Sequence, residues 1–223
     1  MNLAPVQRCA GLAGRAARLA LGVAGWRVVG TAPDLPKCVV IFAPHTSNWD
    51  FPLLLAVRAA FARPVFYLAK HTLFRFPVAG LLRWTGAIAV EREQSHHLVS
   101  ALTRAFHERS EFWLAMSPEG TRHETDHWRS GFYHVARGAG VPVVPAFIDA
   151  RQKACGLGEP IELSGDVEAD LELLRAFYAG KQGIRPKLAG EIRFRSEAEE
   201  SDAKHSDGKD SDTKVGATGT NGA

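Results

Sequence analysis

Cysteine is scarce in this chain. Only Cys9, Cys38 and Cys155 occur among 223 residues, widely spaced and odd in number. No Cys-x-x-Cys pair and no Cys/His spacing of a structural zinc site is present, which argues against a disulfide framework or a zinc-stapled fold. Three small buried or half-buried side chains in a reducing compartment is the reading that remains. Long apolar runs are missing too: no stretch reaches the ~18–20 uninterrupted apolar residues of a membrane-spanning helix. Residues 6–29 are rich in Ala, Leu, Val and Gly, but Arg8, Arg15, Arg18 and Arg27 cut them. The longest uncharged run there, residues 19–26, is shorter than the core of a signal peptide. Acidic residues are absent before Asp34, whereas the last thirty residues mix both signs. The net charge of +3 by itself selects no partner.

What is present suits a globular core: 46% of residues are hydrophobic and 23% charged. Short β-rich runs at residues 38–43 (CVVIFA), 65–69 (VFYLA), 87–90 (AIAV), 112–116 (FWLAM) and 141–148 (VPVVPAFI) read as buried strands. Between them, residues 51–61, 78–85, 95–109 and 131–138 read as helices, as do residues 167–178, whose acidic first turn suits the helix dipole. Residues 192–195 are a candidate last strand. Such alternation predicts one α/β domain with a largely parallel, mixed central sheet flanked by helices, its chemistry on loops at the carboxyl ends of strands. Two prolines in 141–148 point to an edge or a bulge at Pro145.

The ends differ from this middle. At about 100° per residue, Gln7, Arg8, Arg15 and Arg18 fall on one side of an N-terminal helix, with Leu12, Leu19, Val23 and Trp26 largely away from them. That pattern fits a helix lying in a membrane interface, and equally an amphipathic helix packed on its own domain. From residue 196 onward Ser, Asp, Lys, Gly and Thr crowd the chain around a single large apolar residue, too little to offset chain entropy, so disorder is expected. The expected organisation is an amphipathic, membrane-associating segment (1–30), a catalytic domain (31–195) and a disordered polar tail (196–223).

Four segments carry chemistry-bearing side chains. In APHTSNWD, Ser47 or Asn48 is a candidate N-cap that places Asp50 in the first turn of a helix. The loop before it lets the carboxylate meet the His45 imidazole, fixing its tautomer and raising the basicity of the other ring nitrogen. A capping Asp beside an incidental surface His explains the same spacing. In SPEGTRH, a Pro-Glu-Gly turn exposes backbone N–H groups, and Arg122 is a fork-shaped donor for phosphate or carboxylate. A local Glu119–Arg122 salt bridge is the plainer account. In GAIAVER, Arg92 leaves the end of a strand, where a solvated surface residue is the ordinary case. VPVVPAF supplies the prolines.

In order and spacing these four segments together resemble the 1-acylglycerol-3-phosphate and glycerol-3-phosphate acyltransferase family, over residues 28–148 and more loosely through 167–178. The resemblance implies a glycerolipid acyltransferase-like fold, with His45 and Asp50 at the family's His-x4-Asp positions. It also implies that His45 takes the proton of an acceptor hydroxyl, that Asp50 orients His45, and that Arg92 and Arg122 hold an acceptor phosphate. Glu119, with Gly120 and Thr121, would position Arg122 or an acceptor hydroxyl, and Lys70 is a further phosphate-side candidate against a solvated lysine. The acyl donor is acyl-CoA or acyl-carrier protein, with no cofactor and no metal, and no nucleic acid partner is implied. The default acceptor is 1-acyl-sn-glycerol-3-phosphate, giving phosphatidic acid; a lyso-ornithine lipid, another lysophospholipid or glycerol-3-phosphate are alternatives. Peripheral attachment at the cytoplasmic face of the cell membrane follows from the same resemblance. Ser117 and His123 depart from the commoner family residues. Two rivals stand beside it: a non-catalytic lipid-binding module, and a metal-dependent hydrolase built on His45, Asp50 and His123.

Overall fold

The run CVVIFA lacks polar alternation because both of its faces are covered, as expected of a central parallel strand. In β2 (Lys37–Ala43), Val39, Ile41 and Ala43 enter one core while Cys38, Val40 and Phe42 enter the other. The computed structural model describes residues 11–47, 50–90, 95–121 and 124–195. Its remaining strands are β1 (Arg27–Val29), β3 (Val65–Lys70), β4 (Ala87–Val90), β5 (Phe112–Met116), β6 (Val143–Asp149) and β7 (Ala154–Leu157). They form one seven-stranded sheet in the order β1-β7-β6-β2-β5-β3-β4. Every neighbouring pair is parallel except β6–β7.

Helices α1 (Gly11–Val23), α2 (Asp50–Ala60), α3 (Val78–Trp84), α4 (Ser95–Glu108), α5 (Gly131–Ala139) and α6 (Val167–Tyr178) complete the α/β domain. Leu102 and Phe106 of α4, Phe132 and Val135 of α5, and Leu171 and Leu174 of α6 cover one face of the sheet. Leu21 of α1 with Val57 and Ala60 of α2 cover the other. The acidic start of α6 is capped by Asp166, whose carboxylate accepts from the N–H groups of Glu168 and Ala169.

The expected strands and helices recur within a residue or two, and four differences have physical causes. β1 and β7 were not expected: β1 is three residues long, and ACGL of β7 carries little β-branched character. Residues 27–29 therefore belong to the sheet, and the N-terminal helix ends at Val23. Residues 192–195 form no strand; Phe194 makes a single bridge to Trp128. β6 is an interior strand, so Pro145 is not at an edge. It stands where the register against the returning chain slips by one residue, between the Val143–Ile161 bridge and the Ala146–Leu157 pair. That bulge spares the N–H proline lacks.

Helix α1 docks on α2 through its small residues: Gly14 lets the helices approach, and Arg18 donates from Nε to Ala60 O while lying 5.3 Å from the Phe61 ring centre. Leu12, Leu19 and Val23 remain exposed. Arg18 thus reaches the docked side, Arg15 is exposed, and the apolar Leu12, Leu19 and Val23 face outward as well. Gln7, Arg8 and the tail 196–223 lie outside the described residues. Among the described residues no helix is long and apolar enough to cross a membrane.

Sheet order brings the chemistry together. β2 and β5 are adjacent and parallel, so the loops carrying His45 and Glu119 leave the same edge side by side. Lys70 ends β3, the next strand beyond β5.

Candidate active site

His45 lies two residues past the end of β2, on the loop that turns into α2. Asp50 opens α2, and its N–H donates to Ser47 O at 3.2 Å. The carboxylate is fully buried and folds back over the loop. Its Oδ2 accepts from the N–H groups of Thr46 at 2.8 Å and Ser47 at 2.7 Å, and lies 3.2 Å from His45 Nδ1. Asp50 therefore closes the loop ahead of the helix as well as meeting the imidazole. The His45–Asp50 approach is not aligned as a full hydrogen bond. The His45 side chain is 21% exposed and meets Phe42 edge-on.

Glu119, on the turn after β5, is buried as well. Its Oε2 accepts from the backbone N–H of His45 at 2.7 Å, and the N–H of Gly190 donates to the same carboxylate. Burial pushes its pKa up to about 7, against the opposing pull of these N–H groups and of the His45 ring. Glu119 thus grips the loop that carries the candidate base. Gly120 makes the turn possible: its φ is +64°, and a Cβ there would come within 2.6 Å of Arg129 Cδ.

A carboxyl group with a raised folded-state pKa takes up a proton on folding, so its contribution is full below the ordinary carboxyl range and is lost as pH rises to about 7. Thermal midpoints measured from pH 4.5 to 7.5 are expected to fall more steeply for the parent than for a Glu119→Gln protein. Parallel curves would contradict the buried placement of this carboxyl group.

Of the residues singled out from sequence, the structure brings His45, Asp50 and Glu119 together with Gly120. Thr121 follows, half-buried. Lys70 is exposed two strands from β2, about 10 Å away at ordinary strand spacing. Arg92, Arg122 and His123 lie outside the described residues. Among the described residues, no three His, Cys, Asp or Glu side chains gather as a metal site.

Sequence reasoning missed the segment after α6, which braces this loop from behind. Thr46 Oγ1 accepts from the Arg185 N–H at 3.0 Å, and a Cβ on Gly183 would lie 2.6 Å from the same oxygen. Tyr178 OH donates to Ala146 O at 2.9 Å and lies 3.1 Å from Ile41 O, tying α6 to β6 and β2. Arg129, laid against Gly120, was missed as well. Only the polar Thr46 inside the motif signalled that something must meet it.

The acyltransferase family model matches residues 29–149, more than half of the chain, spanning the loops of His45, Asp50 and Glu119. The chain belongs to the acyltransferase family. Among curated relatives of this acyltransferase-family protein, the 1-acyl-sn-glycerol-3-phosphate acyltransferase of Haemophilus influenzae is 28% identical over 152 residues, 60% of this chain and 62% of that protein. The enzyme of the same name from Salmonella typhimurium is 28% identical over 117 residues, 49% of this chain and 46% of its own length. The chain thus spans between about half and three-fifths of these relatives. The crystal structure of the 1-acyl-sn-glycerophosphate (LPA) acyltransferase from Thermotoga maritima shares the fold, with a TM-score of 0.52 at 19% identity, covering 74% of this chain and 75% of that one.

Proposed function

We propose that this acyltransferase-family protein moves a fatty acyl group from a thioester donor, acyl-CoA or acyl-carrier protein, to the free hydroxyl of a lysophospholipid. The acceptor we assign is 1-acyl-sn-glycerol-3-phosphate, the product being phosphatidic acid. The observation that carries this reading is the buried Asp50 carboxylate 3.2 Å from Nδ1 of a partly exposed histidine. It lies within the family-matched residues, on the edge where the β5 turn also emerges.

In this mechanism His45 removes the acceptor's hydroxyl proton through its outer ring nitrogen. The oxygen attacks the thioester carbonyl, and the tetrahedral intermediate expels the thiolate, which recovers the proton from the imidazolium. Asp50 holds the ring and stabilises its charged form. No acyl-enzyme is formed, because the acceptor supplies the nucleophile. Arg92 and Arg122 hold the phosphate, Thr121 contributes to acceptor binding, and Lys70 adds positive charge at the end of β3. Glu119 acts on the loop backbone through His45 N–H. The reaction takes place at the cytoplasmic face of the cell membrane, where the acceptor resides.

The test is thiol release from acyl-CoA or acyl-carrier protein, with products from a panel of lysolipids and glycerol-3-phosphate identified by mass spectrometry. Acceptor-dependent release with phosphatidic acid as the favoured product is expected, and it should survive a strong chelator. No release with any acceptor overturns the reading in favour of a lipid-binding role, and release independent of every acceptor in favour of a hydrolytic one. Arg122→Ala is expected to raise the acceptor KM about tenfold or more with a smaller change in kcat, as loss of a charged hydrogen bond implies.

A further inference from the structure

Residues 51–90 contain no Asp or Glu at all, yet they carry Arg58, Arg63, Lys70, Arg75 and Arg83. Inside this acid-free stretch lies an unusual concentration of apolar side chains in solvent. Phe76, between the end of β3 and α3, is 98% exposed; Trp84 is 62% and Leu81 60% exposed, and Leu73 and Val78 accompany them. Only Leu82 of α3 turns fully inward. Val78, Leu81 and Trp84 are spaced by three and so share one side of the short helix. Arg75, Arg83 and Lys70 are exposed around them, Arg83 lying 5.8 Å from the Phe74 ring centre.

Contiguous apolar surface of this kind marks an interaction site rather than an accident of packing. Its rim selects the partner. A protein partner of mixed charge has no special reason to prefer a segment whose own residues, 51–90, carry only basic charge, whereas an anionic bilayer rewards each Arg or Lys near its surface and accepts Trp and Phe among its headgroups. We propose that the segment from Leu73 to Trp84 is a docking surface for an anionic lipid bilayer, separate from the N-terminal helix. α1 packs against Ala59 and Ala60 of α2, while Arg58 of the same helix donates to Thr85 O just past the end of α3. The docking loop also begins at Lys70, on the sheet edge where the candidate site opens. A bilayer seated on Phe76 therefore delivers lipid acceptors to that edge without a journey through water.

Flotation with vesicles of phosphatidylcholine, alone or with about a third phosphatidylglycerol, tests this, using full-length protein carrying His45→Ala so that turnover plays no part. Strong flotation with the anionic vesicles is expected, weakened about tenfold or more by Phe76→Ser with Leu81→Ser. Arg75→Glu with Arg83→Glu is expected to abolish the preference for anionic lipid. Trp84→Phe is expected to remove most of the blue shift of tryptophan emission on vesicles, a readout that survives if the double variants fold poorly. In the active parent background, the apolar variant should lose turnover on vesicle-embedded acceptor but keep it on a short-chain, monomeric one. Loss on both would mean a damaged site and would count against the proposal. Parent-like flotation of the apolar variant, binding abolished by Leu19→Ser with Val23→Ser alone, or a dimer broken by Phe76→Ser would each overturn it. A failure of the acyl-transfer assignment leaves the flotation result standing.

Discussion

Replacing His45 by alanine is expected to cut acyl transfer by about a thousandfold or more while leaving the thermal midpoint within a few degrees of the parent. The two halves of this expectation rest on different atoms. In the proposed mechanism the proton acceptor is the imidazole, and loss of a positioned general base alone typically costs about 10²–10⁴-fold. The fold depends instead on the His45 backbone, whose N–H donates to Glu119 and is unchanged in alanine. The ring itself is partly exposed and contributes one edge-on contact with Phe42. Steady-state kinetics beside a melting curve decide the matter. A purified, folded His45→Ala protein with parent-like turnover would sink the mechanism.

Asp50→Ala should injure both rate and stability. Its carboxylate is the acceptor for the N–H groups of Thr46 and Ser47, both on buried residues, so alanine strands two donors. Each stranded donor costs about 1–3 kcal/mol, enough to lower the midpoint by several degrees. Asp50→Asn separates the two roles. Its amide oxygen still accepts from the loop, so most stability should return, but the negative charge facing the imidazolium is gone. Transfer is then expected to stay about a hundredfold or more below the parent. A full return of rate in Asp50→Asn would show that the carboxylate only shapes the loop.

Much of this architecture was readable because its signals are local. CVVIFA and FWLAM are apolar on both faces, as strands inside a sheet must be, and the acidic opening of α6 announces its own cap. HTSNWD could be placed at a strand-to-helix loop for the same reason. Contacts with no sequence period stayed hidden. Nothing in ACGL signals that β7 will pair with the brief β1. The backbone partners of Glu119, the N–H groups of His45 and Gly190, had no signal in the sequence because they depend on chain segments far apart. The N-terminal pattern was read as a basic stripe opposite an apolar one. The docked side holds Gly14, where a Cβ would lie 3.1 Å from Ala59 O, together with the buried Leu21.

The bracing of the His45 loop sets a timetable for the nascent chain. His45 and Asp50 emerge from the ribosome early, but the N–H groups of Arg185 and Gly190 that complete the loop's bonding come some 140 residues later. Strands β2 to β6 can pair before then, yet the His45 loop gains its last backbone bonds only after the segment past α6 wraps back. Competence is therefore gained late in synthesis, when the apolar loop around Phe76 has long been outside the ribosome.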